Sequence, residues 1–192
     1  LDAALKYSAS AEYLMERYDI PPQDYMPEEH TWSAHTLDES GFGVKAFEAL
    51  YSITGKEHYR SLGKIYIENH LKKFEREDGL WERMYLREKD RTEPCMFMTR
   101  GQGWAMEGLL SAWNLTGEER YKEKACRMAR TVVKYQKDDG SWNFIMNETE
   151  MAAGIDDKGT PLWSLLLYRL YKADRNPAWL GAARKALSWC IE

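Results

Sequence analysis

The residues best suited to chemistry fall in three short clusters. His35-Thr36-Leu37-Asp38-Glu39-Ser40-Gly41-Phe42 places two adjacent carboxyls beside an imidazole. Thr99-Arg100-Gly101-Gln102-Gly103-Trp104 places a guanidinium, an amide and an indole within six residues. Asp156-Asp157-Lys158-Gly159-Thr160 places two further carboxyls before a hydroxyl. A carboxyl can exchange a proton near neutral pH if burial raises its pKa. A guanidinium suits a carboxylate because it engages it with two parallel hydrogen bonds. Indoles such as Trp104 and Trp32 can cover the face of a sugar ring. Each cluster also has a plainer reading. Asp38, Glu39 or Ser40 could cap a helix starting near residue 42, and Asp157 or Thr160 could cap one with Pro161 at its first position. Arg100 could pair with a wall carboxylate, and Trp104 could belong to the core.

The elements that position these clusters repeat along the chain. Leu50-Tyr51-Ser52-Ile53-Thr54-Gly55 matches Ala112-Trp113-Asn114-Leu115-Thr116-Gly117, then Leu170-Tyr171-Lys172-Ala173-Asp174-Arg175. Asp78-Gly79-Leu80-Trp81 likewise matches Asp139-Gly140-Ser141-Trp142. A period of roughly sixty residues marks stacked units that cannot bury their faces alone. Each unit reads as a helical hairpin. The first helices span about 42–54, 103–116 and 160–173, and the second about 57–74, 119–136 and 177–190. With an opening helix over about 2–17, the expected count is seven. Gly55 and Gly117 suit left-handed C-caps, and Asn176-Pro177 starts the last helix. The first helix of each pair is apolar over much of its surface, as in Leu162–Tyr168, and the second is amphipathic, as in Tyr121–Val133. That contrast predicts an inner and an outer ring. The long connections, about 18–41, 75–102 and 137–159, all precede inner helices, so they and the three clusters share one face.

The net charge of −4 and the absence of a basic stripe argue against nucleic acid. No apolar run is long enough to span a membrane. The sequence contains 8 Trp and 12 Tyr, which suit either helix packing or an aromatic cleft. Cys95, Cys126 and Cys190 have no metal spacing, and Cys126 and Cys190 are expected to be small buried hydrophobes. His30, His35, His58 and His70 also lack ligand spacing, so neither a metal nor another cofactor is expected. Trp81 and Trp142 occupy equivalent repeat positions and read as packing residues, while Trp32 has no repeat partner and reads as a rim residue. The chain opens on Leu1 rather than Met, which implies that preceding residues are absent from this sequence.

Thr99–Leu109 resembles the Arg-Gly-Gln-Ala-Trp-Ala segment of glycoside hydrolase family 88, the unsaturated glucuronyl hydrolases, and of the related family 105 rhamnogalacturonyl hydrolases. Leu115–Tyr121, Asp157–Trp163 and Ala182–Leu187 continue the similarity, which covers about residues 36–192. The resemblance implies an all-α (α/α)6 toroid, of which residues 1–192 would form one domain at the C-terminal end. It implies hydration of the C4–C5 enol ether of an unsaturated uronic acid on an oligosaccharide. Asp38 resembles the family's catalytic Asp before an inner helix. The family 88 pattern His-Asp-x-Gly-Phe is shorter by one residue, so Glu39 shares the candidacy. Arg100 and Trp104 match substrate-contacting residues, with His35, Trp32, Gln102, Asp157 and Thr160 as further substrate contacts. The resemblance further implies association with a missing barrel half or a second copy, and a bacterial location in cytoplasm or periplasm.

Two other classes compete. Gln136–Trp142 resembles the Gln-…-Gly-Ser-Trp motif that stitches helices together in triterpene cyclases and prenyltransferases, but the acidic cyclase motifs are absent. The N-acylglucosamine epimerases share the barrel, but paired catalytic histidines are not evident. A non-catalytic helical-repeat or carbohydrate-binding domain fits the apparent half-barrel. The long polar-aromatic loops on one face count against it. Convergence of Asp38, Glu39, Arg100 and Trp104 on one cleft favours an enzyme.

Overall fold

The computed structural model describes residues 2–93 and 96–191, so Cys95 lies outside the described residues. Helix α1 (Asp2–Tyr18) leads into three hairpins. These are α2 (Val44–Thr54) with α3 (Glu57–Phe74), then α4 (Thr99–Thr116) with α5 (Glu119–Lys134). After the one-turn α6 (Glu150–Ala153) come α7 (Gly159–Asp174) and α8 (Pro177–Ile191). The architecture is the expected all-α toroid arrangement, with α2, α4 and α7 as inner helices and α3, α5 and α8 outside. The repeat is visible in the backbone. Gly55, Gly117 and Arg175 all take the left-handed conformation, each sending its N–H back to Tyr51, Trp113 and Tyr171 respectively.

The layering follows from the side chains. Helix α4 sits centrally, and 14 of its residues are buried. Helix α5 buries Tyr121, Ala125, Met128, Ala129 and Val132, spaced three or four apart, and turns its lysines and glutamates outward. Three inner helices meet at one buried acid: Glu107 of α4 accepts from Lys45 of α2 and Arg169 of α7. Burial alone would raise its carboxyl, but these two cations outweigh that and hold its pKa below the usual glutamate range. Trp81 and Trp142 are fully buried. Gln136 Nε2 donates to Gly140 O and to Ala182 O of α8, both at 2.9 Å, which ties the turn after α5 to the next outer helix.

Several features depart from the expectations. Helix α4 begins at Thr99, four residues early, so Gly101 is helical rather than part of the loop, and Gly103 is the fifth residue of the helix rather than the first. A Cβ on Gly103 would lie 2.5 Å from Leu162, so close packing, not loop geometry, requires that glycine. Helix α2 begins at Val44 because a 3₁₀ turn, Asp38–Gly43, takes the preceding positions. The long connections carry strands. β1 (Tyr25–Met26) pairs with β2 (Thr31–Trp32), and β3 (His35–Leu37), β4 (Met84–Leu86) and β5 (Arg91–Glu93) form an antiparallel sheet joining the first two connections. Cys190 is exposed and Cys126 is half-buried, so neither is the sealed hydrophobe expected. Helix α7 is not buried all round: Leu165 and Tyr168 are exposed and join Leu187 of α8 along an apolar groove at the chain's last hairpin.

Candidate active site

The site is built on the 3₁₀ turn and the start of α4. Gly101 and Gly108 lie seven residues apart, two turns, and so share one face of α4. The 3₁₀ turn rests on that face. A Cβ on Gly108 would lie 2.4 Å from Gly41 O, and one on Gly101 would lie 2.6 Å from Asp38 Oδ2. These glycines therefore admit the acidic turn to van der Waals contact with the helix. Helix α3 grips the other side. Tyr66 donates from its hydroxyl to Ser40 O at 2.9 Å, and Ser40 Oγ lies 2.9 Å from His70 Nε2 and 2.6 Å from Leu37 O. His70 Nδ1 faces Tyr66 O at 2.8 Å and so carries a proton. Burial pushes the pKa of His70 down to about 4, and the ring stacks between Tyr66 and Trp81.

Asp38 is fully buried in this cradle. Its Oδ1 accepts from Glu39 N at 2.9 Å and from Arg83 Nη1, and its Oδ2 accepts from Gln102 Nε2 at 3.1 Å. Desolvation raises its pKa, and the Arg83 guanidinium pulls it back only partly, leaving it at about 7. Arg83 Nη1 also reaches Glu39 Oε2 at 3.2 Å, so one guanidinium bridges both carboxyls. Glu39 is only part-buried, and it lines a cavity of about 450 Å³ together with Arg100, Trp104, Lys158 and Leu162. Arg100 lies 5.6 Å from the Phe144 ring centroid, and among the described residues neither Arg100 nor Lys158 has a carboxylate partner. The cavity therefore presents two cations without ion-pair partners among the described residues, an indole and an acid, beside a buried carboxyl whose pKa is raised to about 7.

No family sequence model matches the chain, and no curated protein is similar to it in sequence. Solved structures do match. The unsaturated glucuronyl hydrolase of Bacillus sp. GL1, described as responsible for the degradation of glycosaminoglycan, superposes with a TM-score of 0.77 at 16% identity, over 93% of this chain and 53% of that one. A possible member of glycoside hydrolase family 105 from Salmonella enterica serovar Paratyphi A matches with a TM-score of 0.79 at 14% identity, over 99% and 53%. A family 88 glycosyl hydrolase from Bacteroides vulgatus matches with a TM-score of 0.66 at 20% identity, over 80% and 48%. The chain has the fold of these α/α-toroid glycosidases. It spans about half the length of the structures it matches.

Within the toroid, the residues singled out from the sequence separate into three groups. Glu39, Arg100 and Trp104 share the cationic cavity, with Asp38 immediately behind Glu39. Trp32 lines a second cavity, which also touches Glu39. The remaining residues have other surroundings. Gln102 is fully buried; its amide accepts from Trp81 N and donates to Trp81 O and Asp38, so it positions the acid and does not line the cavity. His35 is a strand residue whose carbonyl accepts from Gln23 N and Ser33 Oγ. Thr160 is fully buried and accepts from Trp142 N at 3.3 Å, and Asp157 is exposed outside the cavity lining. The helix cap expected from Asp157 or Thr160 is supplied by Asp156, whose Oδ1 accepts from Lys158 N at 3.1 Å and Gly159 N at 2.8 Å. Helix α7 therefore starts at Gly159, and Pro161 is its third residue.

Arg83, Lys158, Tyr66 and His70 have roles that the sequence reading did not assign. Arg83 left a trace. Two residues after Trp81 it occupies the position that Phe144 holds after Trp142 in the next repeat. A charge at a repeat position that is otherwise aromatic marks a place where the fold needs something other than packing.

Proposed function

We propose that this chain forms the catalytic face of a glycoside hydrolase that hydrates the enol ether of an unsaturated uronic acid at the end of an oligosaccharide. The observation that carries the reading is the pairing of a buried carboxyl of pKa about 7, Asp38, with a cavity lined by Arg100 and Lys158, neither of which has a carboxylate partner among the described residues. Arg100 and Lys158 receive the uronate carboxylate, and Trp104 covers one face of the ring. Asp38 donates its proton to C4, and positive charge develops at C5 and the ring oxygen. Water, oriented by Glu39, adds at C5 and gives up a proton to the Asp38 carboxylate, which restores the acid. The resulting hemiketal opens and releases the next sugar. Protonation of Asp38 weakens its ion pair with Arg83, so the guanidinium can swing off the acid when substrate enters. Donors of this kind contribute about 10²–10⁴ in rate. The half-length match and the apolar groove along α7 and α8 support the view that the activity belongs to a completed ring, closed by further hairpins or a second copy.

The test is loss of the enol-ether ultraviolet absorbance when oligosaccharides made by polysaccharide lyases are supplied to the protein, to Asp38→Asn and to Glu39→Gln. The expected outcome is turnover by the wild type and a loss on the order of 10² or more in Asp38→Asn. Binding of these oligosaccharides without any absorbance loss would replace the hydrolase with a non-catalytic carbohydrate-binding protein.

A further inference from the structure

A second cavity, of about 400 Å³, adjoins the cationic one at Glu39, with walls from α1, the Pro21-Pro22 turn, β2 and the 3₁₀ turn. Its lining includes Ser40, a part-exposed hydroxyl that the uronate chemistry does not use. Behind Ser40 stands His70, fully buried, with its Nε2 2.9 Å from Ser40 Oγ. His70 Nδ1 lies 2.8 Å from Tyr66 O, so that nitrogen carries the proton of the neutral ring and Nε2 is left as the acceptor. Stacking between Tyr66 and Trp81 fixes the ring plane. A hydroxyl, an imidazole within hydrogen-bond reach and a third group that orients the imidazole are the parts of an activated nucleophile. Here a backbone carbonyl fills the orienting role. Ser40 Oγ also lies 2.6 Å from Leu37 O. That carbonyl can hold the hydroxyl but cannot take its proton, whereas Nε2 can do both.

Comparison of the hairpins shows that packing does not require this pair. Ten residues before Leu50, Ala112 and Leu170 stand Ser40, Gln102 and Thr160. Gln102 accepts from Trp81 N at 2.9 Å and Thr160 from Trp142 N at 3.3 Å, so each fastens the tryptophan of the connection before it. Ser40 does not follow them, since its hydroxyl contacts His70 and Leu37 O. Eleven residues after Tyr59, Tyr121 and Trp179 stand His70, Val132 and Cys190. Two of the three hairpins thus fill the His70 position without an imidazole, and Val132 is fully buried there. Burial pushes the pKa of His70 down to about 4, which leaves the ring unprotonated at neutral pH, as a base must be. Only the first hairpin brings a hydroxyl and an imidazole into contact at these two positions, and it does so beside a cavity.

We propose that Ser40 and His70 form a second catalytic centre, a nucleophile and its base, which hydrolyses an ester of a short carboxylic acid with an uncharged alcohol bound in this cavity. The lining contains no Lys, Arg or His, and Glu39 is its only carboxylate, so an uncharged ester fits it better than an anionic one. Ser40 Oγ attacks the acyl carbon and passes its proton to His70 Nε2. The carbonyl oxygen becomes an oxyanion. Gln23 Oε1 is held by Leu37 N at 3.2 Å, which leaves the Gln23 amide N–H groups in the lining to donate to that oxyanion. The ester C–O bond breaks, the alcohol leaves with the proton from His70, and the acyl group stays on Ser40. Water then attacks the acyl carbon and gives a proton to His70 Nε2. The acid departs as Ser40 recovers that proton. One ester and one water become one alcohol and one acid. A base of pKa about 4 is a weak one, so esters with good leaving groups react fastest. Neither residue lines the cationic cavity, so the proposal stands apart from the uronate reading.

Two probes test it on the whole chain, a fluorophosphonate, which labels activated serines covalently, and p-nitrophenyl acetate. Labelling is mapped by peptide mass spectrometry, and ester hydrolysis is followed by the absorbance of p-nitrophenolate, for the wild type, Ser40→Ala and His70→Gln. Circular dichroism melting checks that each variant folds. The expected result is a label on Ser40, with ester hydrolysis at least about tenfold faster in the wild type than in Ser40→Ala or His70→Gln. If the buried His70→Gln substitution unfolds the chain, the rate of wild-type labelling in deuterium oxide replaces it, because proton transfer to a base makes labelling slower there than in ordinary water. No label on Ser40, or equal hydrolysis by the wild type and Ser40→Ala, overturns the proposal. A label on Ser40 whose rate is unchanged in His70→Gln, or in deuterium oxide where that variant does not fold, shows a reactive hydroxyl without its base and overturns the pair.

Discussion

Replacing Asp38 with Asn should change how stability depends on pH more than stability itself. Asn has nearly the same shape as a protonated Asp and cannot ionise. The Asp38 carboxyl has a pKa of about 7 in the folded chain against an ordinary value of 3.8. Folding therefore takes up a proton between these values. The fold bears no penalty from Asp38 below about pH 4, and the penalty grows as pH rises towards 7. About three pH units, at about 1.4 kcal/mol each, give about 4 kcal/mol at pH 8. His70 acts in the opposite sense over the same range. Its pKa is lowered from 6.5 to about 4, so its contribution is complete above about pH 6.5 and is lost as pH falls towards 4. The wild type alone would show these two trends partly cancelling. The difference between Asp38→Asn and wild type removes His70, which is common to both. Urea unfolding at pH 4 and pH 8 measures it. The stability of Asp38→Asn relative to wild type should rise by about 2–4 kcal/mol from pH 4 to pH 8. A change below about 1 kcal/mol would refute the claim that Asp38 is held protonated by burial.

Four further outcomes follow from the same geometry. For a general acid of pKa about 7, kcat/KM on an unsaturated disaccharide should be level at acid pH and fall tenfold per unit above it, as a stopped-assay pH profile would show. Gly101→Ala puts a Cβ against both Asp38 oxygens and should cost about 1–3 kcal/mol by urea denaturation, with turnover reduced at least as much as in Glu39→Gln. Gln102→Leu leaves Trp81 N without its buried acceptor and should lower stability by about 1–3 kcal/mol on the same measurement. Arg175→Gly should stabilise the protein by about 1 kcal/mol without altering turnover, because Arg175 alone among the three hairpin caps pays the left-handed strain of a side chain.

The sequence by itself determined the hairpins, their order and their inside–outside sense. These depend on local periodicity, on repeated Thr-Gly and Asp-Gly turns, and on amphipathic spacing, all of which act over a few residues. It also marked Asp38, Glu39, Arg100 and Trp104, because the three connections that carry such residues must emerge on one face. What it did not determine was how those residues divide. Gly101 was expected in a loop and Gly103 at the first position of a helix, yet both lie inside α4, and they are glycines because Asp38 and Leu162 occupy the space that side chains would fill. Asp38 and Glu39 are neighbours in sequence, but one is buried beneath Arg83 and the other lines two cavities, a difference decided by α3, α4 and Arg83 packing around the turn. Arg83 reaches Asp38 from 45 residues away. Gln102 was marked as a contact to substrate and instead fastens Trp81 to Asp38. Burial, partner geometry and pKa are properties of what surrounds a side chain, and those surroundings come together only when distant segments pack.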